Sequence, residues 1–284
     1  MATPVDTVST PDKSNSKAPG SPKGKWKFPE PKDNRHLTLL HHIYSLPNLA
    51  DLKGNPQRIL AAIDDFSENK QHLMNIGPKK GKLITDLIAR IKPQTMIELG
   101  GFVGYSAILF GDAVRRAGGK RYLSLEQNPE FAAVANLLVD LAGLKDFVKI
   151  IVGPSSRSLH ELYVSGEIGE KIELLFLDHH KAMYTVDLKL CEHYGLIRPG
   201  SVVAADNVIV PGAPEYLDYV RSSVQRKREM AEKKRTEEKK DEELEFDFVG
   251  NPNLVYESTI HEMDLSAGRR DGVEITRCVG EEKA

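Results

Sequence analysis

Five short, largely apolar runs recur along this chain, each followed by an amphipathic helical stretch, and that alternation restricts the fold more than any other feature. The runs are Met96–Leu99, Tyr122–Leu125, Val148–Val152, Ile172–Leu177 and Val202–Ala205. Helical spacing fills the intervals at about 104–117, 129–143, 155–165 and 181–194. It also precedes them at 57–69 and 79–91, where Ile59, Leu60 and Ile63, then Leu83, Leu87 and Ile88, recur on one face. Short strands without a polar face are buried on both sides, which predicts a parallel sheet covered by helices. Gly195, Pro199 and Gly200 stop the fourth interval and turn the chain into the fifth strand. Leu254–Ile260 and Val273–Cys278 read as two further strands, giving an open α/β sheet of seven. Ligands of such sheets sit beyond the carboxyl ends of the strands.

The rest of the 284 residues frames one domain. Residues 1–35 are rich in Pro, Ser, Lys and Gly and nearly empty of aliphatic side chains, so a disordered tail is expected, with Trp26 and Phe28 docking locally at most. The domain runs over 36–280. Residues 225–245 carry eight basic and eight acidic residues with almost no apolar periodicity, which reads as a solvated helical insertion. The formal net charge of −2 attracts neither nucleic acid nor an anionic membrane. Cys191 and Cys278 give no disulfide framework and no metal cluster, so a reducing compartment is the default. No 18-residue apolar stretch and no signal-type hydrophobic region occurs. The expectation is a cytoplasmic monomer acting on a small molecule.

The first strand runs into glycines as Met96-Ile-Glu-Leu-Gly-Gly-Phe-Val-Gly-Tyr-Ser106. Glycines at Gly100, Gly101 and Gly104 permit a tight turn and close backbone approach to a ligand, yet they fit neither a dinucleotide GxGxxG nor a P-loop. Glu98 at this strand end repels pyrophosphate and suits a ligand bearing a cationic amine or sulfonium. Glu126 ends the next strand, 28 residues on, where an acid characteristically accepts hydrogen bonds from ribose hydroxyls. Together the two acids describe S-adenosylmethionine.

Two more strand ends carry acids, in Phe-Leu-Asp178-His-His-Lys181 and Ala-Ala-Asp206-Asn207-Val. Two carboxylates and an amide oxygen make a hard-oxygen set suited to Mg²⁺. Helix capping is the plain alternative for each aspartate alone. Zinc at His179 and His180 is disfavoured because adjacent side chains diverge. Lys181, beside the cation and partly desolvated, would lose its proton more easily and act as general base. His41 and His42 lie in an N-terminal helix and are expected to be solvated.

These segments resemble catechol O-methyltransferase, as do Met74-Asn-Ile-Gly77 and Asp271-Gly-Val-Glu274, over about residues 38–280. The Asn-Val-Ile-Val-Pro-Gly stretch is more like the catechol branch than the relatives acting on coenzyme A thioesters. The resemblance implies a Rossmann-like class I methyltransferase fold, mostly parallel with an antiparallel last strand. It implies magnesium at Asp178, Asp206 and Asn207, Lys181 as base, and Glu257 contacting the second catechol hydroxyl. It places S-adenosylmethionine against Ile76, Glu98, Gly100, Tyr105, Ser106, Glu126, Ser155, Asp178 and His179, and a pocket wall at Pro211. Tryptophans that wall the pocket in animal members are matched here by His72 and His180, and Phe102 and Val103 also differ, which opens the question of substrate shape. A nicotinamide oxidoreductase would need a regular GxGxxG and has no use for Glu98 or Asp206-Asn207. A non-catalytic relative would have no use for the metal set with Lys181.

Overall fold

A computed structural model describes residues 33–237, 246, 248–265, 268 and 270–283. The expected tail therefore lies outside the described residues except for its last three, as do residues 238–245 of the charged insertion. Four helices come first: α1 (Arg35–Tyr44), α2 (Leu49–Leu52), α3 (Pro56–Asn69) and α4 (Gly77–Ile91). The alternating part follows as β1 (Thr95–Leu99), α5 (Tyr105–Arg116), β2 (Arg121–Glu126), α6 (Pro129–Leu141), β3 (Val148–Val152), α7 (Ser155–Val164) and β4 (Leu174–Leu177). A 3-10 turn at Lys181–Met183 leads into α8 (Tyr184–His193) and then β5 (Val202–Ala205). The chain closes with α9 (Pro214–Arg221), α10 (Val224–Glu237), β6 (Leu254–Asp264) and β7 (Arg270–Glu281).

The seven strands form one sheet in the order β3-β2-β1-β4-β5-β7-β6. The pairs among β1 to β5 are parallel, whereas β7 runs antiparallel to both β5 and β6. This is the sheet expected from the strand pattern. Side chains alternate across it: Met96 joins the layer of α1 and α3–α6, and Ile97 and Leu99 join the layer under α7–α9. Every residue of β1, β4 and β5 is buried, which is why these strands lack a polar face. Asparagines start two of the helices: the Asn55 side chain accepts from Arg58 N in α3, and Asn128 Oδ1 accepts from Glu130 N and Phe131 N in α6. Caps of this kind contribute about 1 kcal/mol each.

The order of strands places a topological switch between β1 and β4, so the crevice beyond their carboxyl ends is the ligand position of the fold. The two strand ends nearly touch there. Gly100 has φ 97°, and a Cβ on it would lie 2.5 Å from the Asp178 carbonyl oxygen, so only glycine serves.

The charged insertion is less solvated than expected. Within α10, Lys227 and Ala231 are buried. Lys227 Nζ donates to Leu254 O and lies 4.4 Å from the Tyr256 ring centre. Beneath it, buried Glu192 accepts from Tyr219 Oη at 2.6 Å and Tyr256 Oη at 2.5 Å. A composition of charges hid one docked face.

Candidate active site

A cavity of about 610 Å³ opens at the carboxyl ends of β1, β2 and β4. Its wall brings together Gly100, Glu126, Ser155, Asp178, His179 and Lys181, together with Asn207 from beyond β5. The segments that supply them are far apart in sequence and meet only because parallel strands end on one edge.

Glu126 is held for acceptance. Its Oε2 takes Phe102 N and its Oε1 takes Asn128 N, both at 2.7 Å, the Gly101 and Gln127 amides also point at it, and the carboxylate lies in the cavity wall. Glu98 is fully buried behind Gly100 instead of forming the cavity wall. Ser124 Oγ donates to its Oε2 at 2.5 Å, whereas Oε1 is buried without a partner. Burial pushes its pKa up to about 7 against the Ser124 hydrogen bond, with the Glu126 charge adding to the rise. A buried acid with an open oxygen beside a ribose-type acceptor is what an amine-bearing nucleoside requires, so the acceptors present fit S-adenosylmethionine.

Besides Glu98, three of the expected cofactor residues sit away from the wall. Tyr105 is buried in the core, with Oη donating to Asp64 Oδ2 at 3.1 Å. Ile76 is packed in the core at the start of α4, and Ser106 lies against Glu98. His179 lines the cavity. Its Nε2 donates to Asp187 Oδ2 at 2.7 Å, and its ring stacks on Tyr184. Asp187, on α8 and fully buried, also accepts from Ser155 Oγ at 2.6 Å and from Ser156 Oγ. It ties two cavity segments together, and the sequence reading passed over it. Phe246 was also missed: it follows the charged stretch, is 7% exposed, and lies in the wall with its ring 5.5 Å from His160.

The polar end of the cavity is built around Lys181. Its Nζ donates to Asp178 Oδ1 at 3.2 Å, to Asn207 Oδ1 at 3.1 Å and to Tyr184 Oη at 2.5 Å. Tyr184 Oη donates on to Asp206 O at 3.0 Å. Burial and the Asp206 carboxylate raise the Asp178 pKa above the ordinary range, with Lys181 and Lys80 pulling it down. Asp178 and Asn207 thus turn oxygens toward one cationic nitrogen, and Asp206 lies close enough to perturb Asp178. Among the described residues no cluster of three His, Cys, Asp or Glu side chains is placed to hold a metal ion. The expected set has two carboxylates and one amide, a composition that suits a hard cation and keeps positions open.

The remaining site expectations divide. His180 lines the cavity, as does Met74, which is 64% exposed. His72 and Pro211 are exposed and lie outside the wall; the His72 carbonyl accepts from Arg35 Nη1. Glu257 does not join the group. It pairs in register with Arg277, which pairs with Val202 at the start of β5, about 13 Å of strand from Asp206. Nearer the Asp271 end of the hairpin β6 carries Glu262, opposite Gly272, joined to Arg270 at 2.5 Å and outside the cavity wall.

A family model described as O-methyltransferase matches residues 55–246. The chain belongs to that family. Among its O-methyltransferase relatives, catechol O-methyltransferase of Bos taurus is 39% identical over 170 residues, which is 60% of this chain and 61% of the relative. The Mus musculus enzyme of the same name is 40% identical over 170 residues, covering 60% and 63%. A Homo sapiens protein named transmembrane O-methyltransferase is 36% identical over 172 residues, covering 60% and 58%. The aligned part of the chain thus spans less than two thirds of these relatives' lengths. Among the described residues no helix is long and apolar enough to cross a membrane. The fold is that of an O-methyltransferase from Bacillus cereus solved in complex with SAH, at TM-score 0.54, 19% identity and coverage of 87% and 92%.

Proposed function

We propose that this chain transfers a methyl group from S-adenosylmethionine to one hydroxyl of a catechol, held at Mg²⁺ by Asp178, Asp206 and Asn207. The observation that carries the reading is the position of Lys181 Nζ. It stands within 3.2 Å of Asp178 Oδ1 and 3.1 Å of Asn207 Oδ1, on the wall of the cavity that Glu126 shapes for a nucleoside.

When bound, magnesium would hold both vicinal hydroxyls and make the attacking one more acidic. The chain's own residues do the rest. Lys181, as the free amine, takes the hydroxyl proton at Nζ, and Tyr184 Oη, 2.5 Å away, keeps that nitrogen aimed at the metal ligands. Glu126 holds the ribose, and Glu98, buried behind the wall, attracts the amine by its charge. Asp187 fixes His179 and Ser155 around the adenosine. Holding two reactants in attack geometry contributes up to ~7–11 kcal/mol. A soluble, cytoplasmic monomer without nucleic-acid or membrane partners completes the reading.

The test is transfer of labelled methyl from S-adenosylmethionine to 3,4-dihydroxybenzoate. Activity lost in EDTA and restored by Mg²⁺ supports the reading. Undiminished transfer in EDTA, or no transfer with Mg²⁺ present, rejects it.

A further inference from the structure

Lys80 lies on α4, outside every set of residues considered so far, and only 2% of its side chain is exposed. Its Nζ bridges two carboxylates, Asp206 Oδ1 at 2.5 Å and Asp271 Oδ2 at 2.6 Å. Asp271 Oδ2 also accepts from Asn207 Nδ2 at 2.8 Å. Its Oδ1 accepts from the backbone of Val210 at 3.0 Å and of Gly272 at 2.8 Å. One buried ammonium and one carboxylate therefore grip both Asp206 and Asn207.

The grip decides which atoms remain for a ligand. Asp206 Oδ1 is taken by Lys80 and by Asn207 N at 2.7 Å, so Oδ2 is the oxygen with capacity to spare. The Asn207 amide donates its nitrogen to Asp271, which turns Oδ1 toward Asp178 and Lys181. Asn207 also holds a left-handed backbone, φ 57°, so its side chain needs this support to keep one orientation. Stability gives no sufficient reason for such a triad, because burying charges costs as much as their attraction returns.

We propose that Lys80 and Asp271 are positioning residues that act as one unit: they orient Asp206 and Asn207 and so set the affinity of the site for its divalent cation. This rests on the metal reading of the site given above. Outer partners of metal ligands change affinity about 10–100-fold when removed.

The experiment measures Mn²⁺ binding to the full chain by the loss of the free-ion paramagnetic resonance signal, with S-adenosylmethionine affinity measured by calorimetry on the same samples. The variants are Lys80→Met, the isosteric Asp271→Asn, their double, and Lys80→Arg. Each single loss is expected to weaken Mn²⁺ at least tenfold and leave cofactor affinity within about twofold. The double is expected to cost no more than either single, the mark of one unit. Lys80→Arg, which keeps the charge, is expected to recover most of the affinity. Should Lys80→Met fail to fold, Asp271→Asn and Lys80→Arg carry the same comparison. Unchanged Mn²⁺ affinity in Asp271→Asn or Lys80→Met, or losses that simply add, would overturn the proposal while leaving the metal site standing. Absence of Mn²⁺ binding in the unaltered protein would overturn both.

Discussion

Replacing Glu98 by Gln tests the cofactor end of the site without touching the metal end. Glu98 is fully buried, and its pKa moves from an ordinary 4.5 to about 7. The folded protein therefore holds a proton there that the unfolded chain releases. Stability contributed by that proton is fully present below pH about 4.5 and is lost as pH rises through about 7. A gap of two to three pKa units corresponds to about 3 kcal/mol. Glu98→Gln keeps the shape and removes the titration. Denaturant unfolding of the cofactor-free protein at pH 5 and pH 8 should show the variant gaining on the unaltered protein by about 3 kcal/mol across that interval. The ionised form is the one that attracts an amine. With half of Glu98 ionised at pH 7 and about a tenth at pH 6, S-adenosylmethionine affinity of the unaltered protein should fall about fivefold over that interval, and that of the variant should stay level. A stability difference between the two proteins that does not change with pH would refute the reasoning about Glu98.

Four further outcomes are expected. Asp178→Ala or Asp206→Ala should abolish Mg²⁺-dependent methyl transfer while calorimetry still detects S-adenosylmethionine binding. Asp187→Asn should weaken cofactor binding about tenfold by calorimetry, because Asp187 holds Ser155, Ser156 and His179 at once and a charged acceptor is worth about 1.5–3 kcal/mol per bond. Glu257→Gln, at the far end of β6, should leave kcat/KM for a catechol within twofold. Phe246→Ala should raise the cofactor Kd severalfold by opening one wall of the cavity, read by the same calorimetry.

The sheet was legible because its central strands β1, β4 and β5 are buried on both faces and so read as apolar runs. The acids at strand ends were legible because parallel strands deliver their carboxyl ends to one edge. What escaped notice was polar residues that stand where apolar ones belong. Lys80 occupies the stripe of Ile84, Leu87 and Ile88 on α4, and Asp187 shares a buried face with Tyr184, Leu188 and Cys191 on α8. A charge on an apolar stripe is a signal in sequence, but its partners come from other elements and are invisible until the fold closes. The register of β6 against β7 was illegible for another reason. Both strands tolerate a slip until the hairpin fixes their pairing, so the sequence did not show that Glu257 lies at the end of β6 away from Asp271. The charged insertion misled because composition averages over faces. It hid Lys227 between two tyrosines and Phe246 at the cavity wall.

The proposed function requires that Asp178, Asp206 and Asn207 share one hard cation beside a bound sulfonium nucleoside. Anomalous diffraction from crystals grown with Mn²⁺ and S-adenosylmethionine measures this directly. One peak is expected about 2.0–2.3 Å from an oxygen of each of the three side chains, next to density for the nucleoside. A peak bound elsewhere, or ordered nucleoside with no metal at these residues, would contradict it.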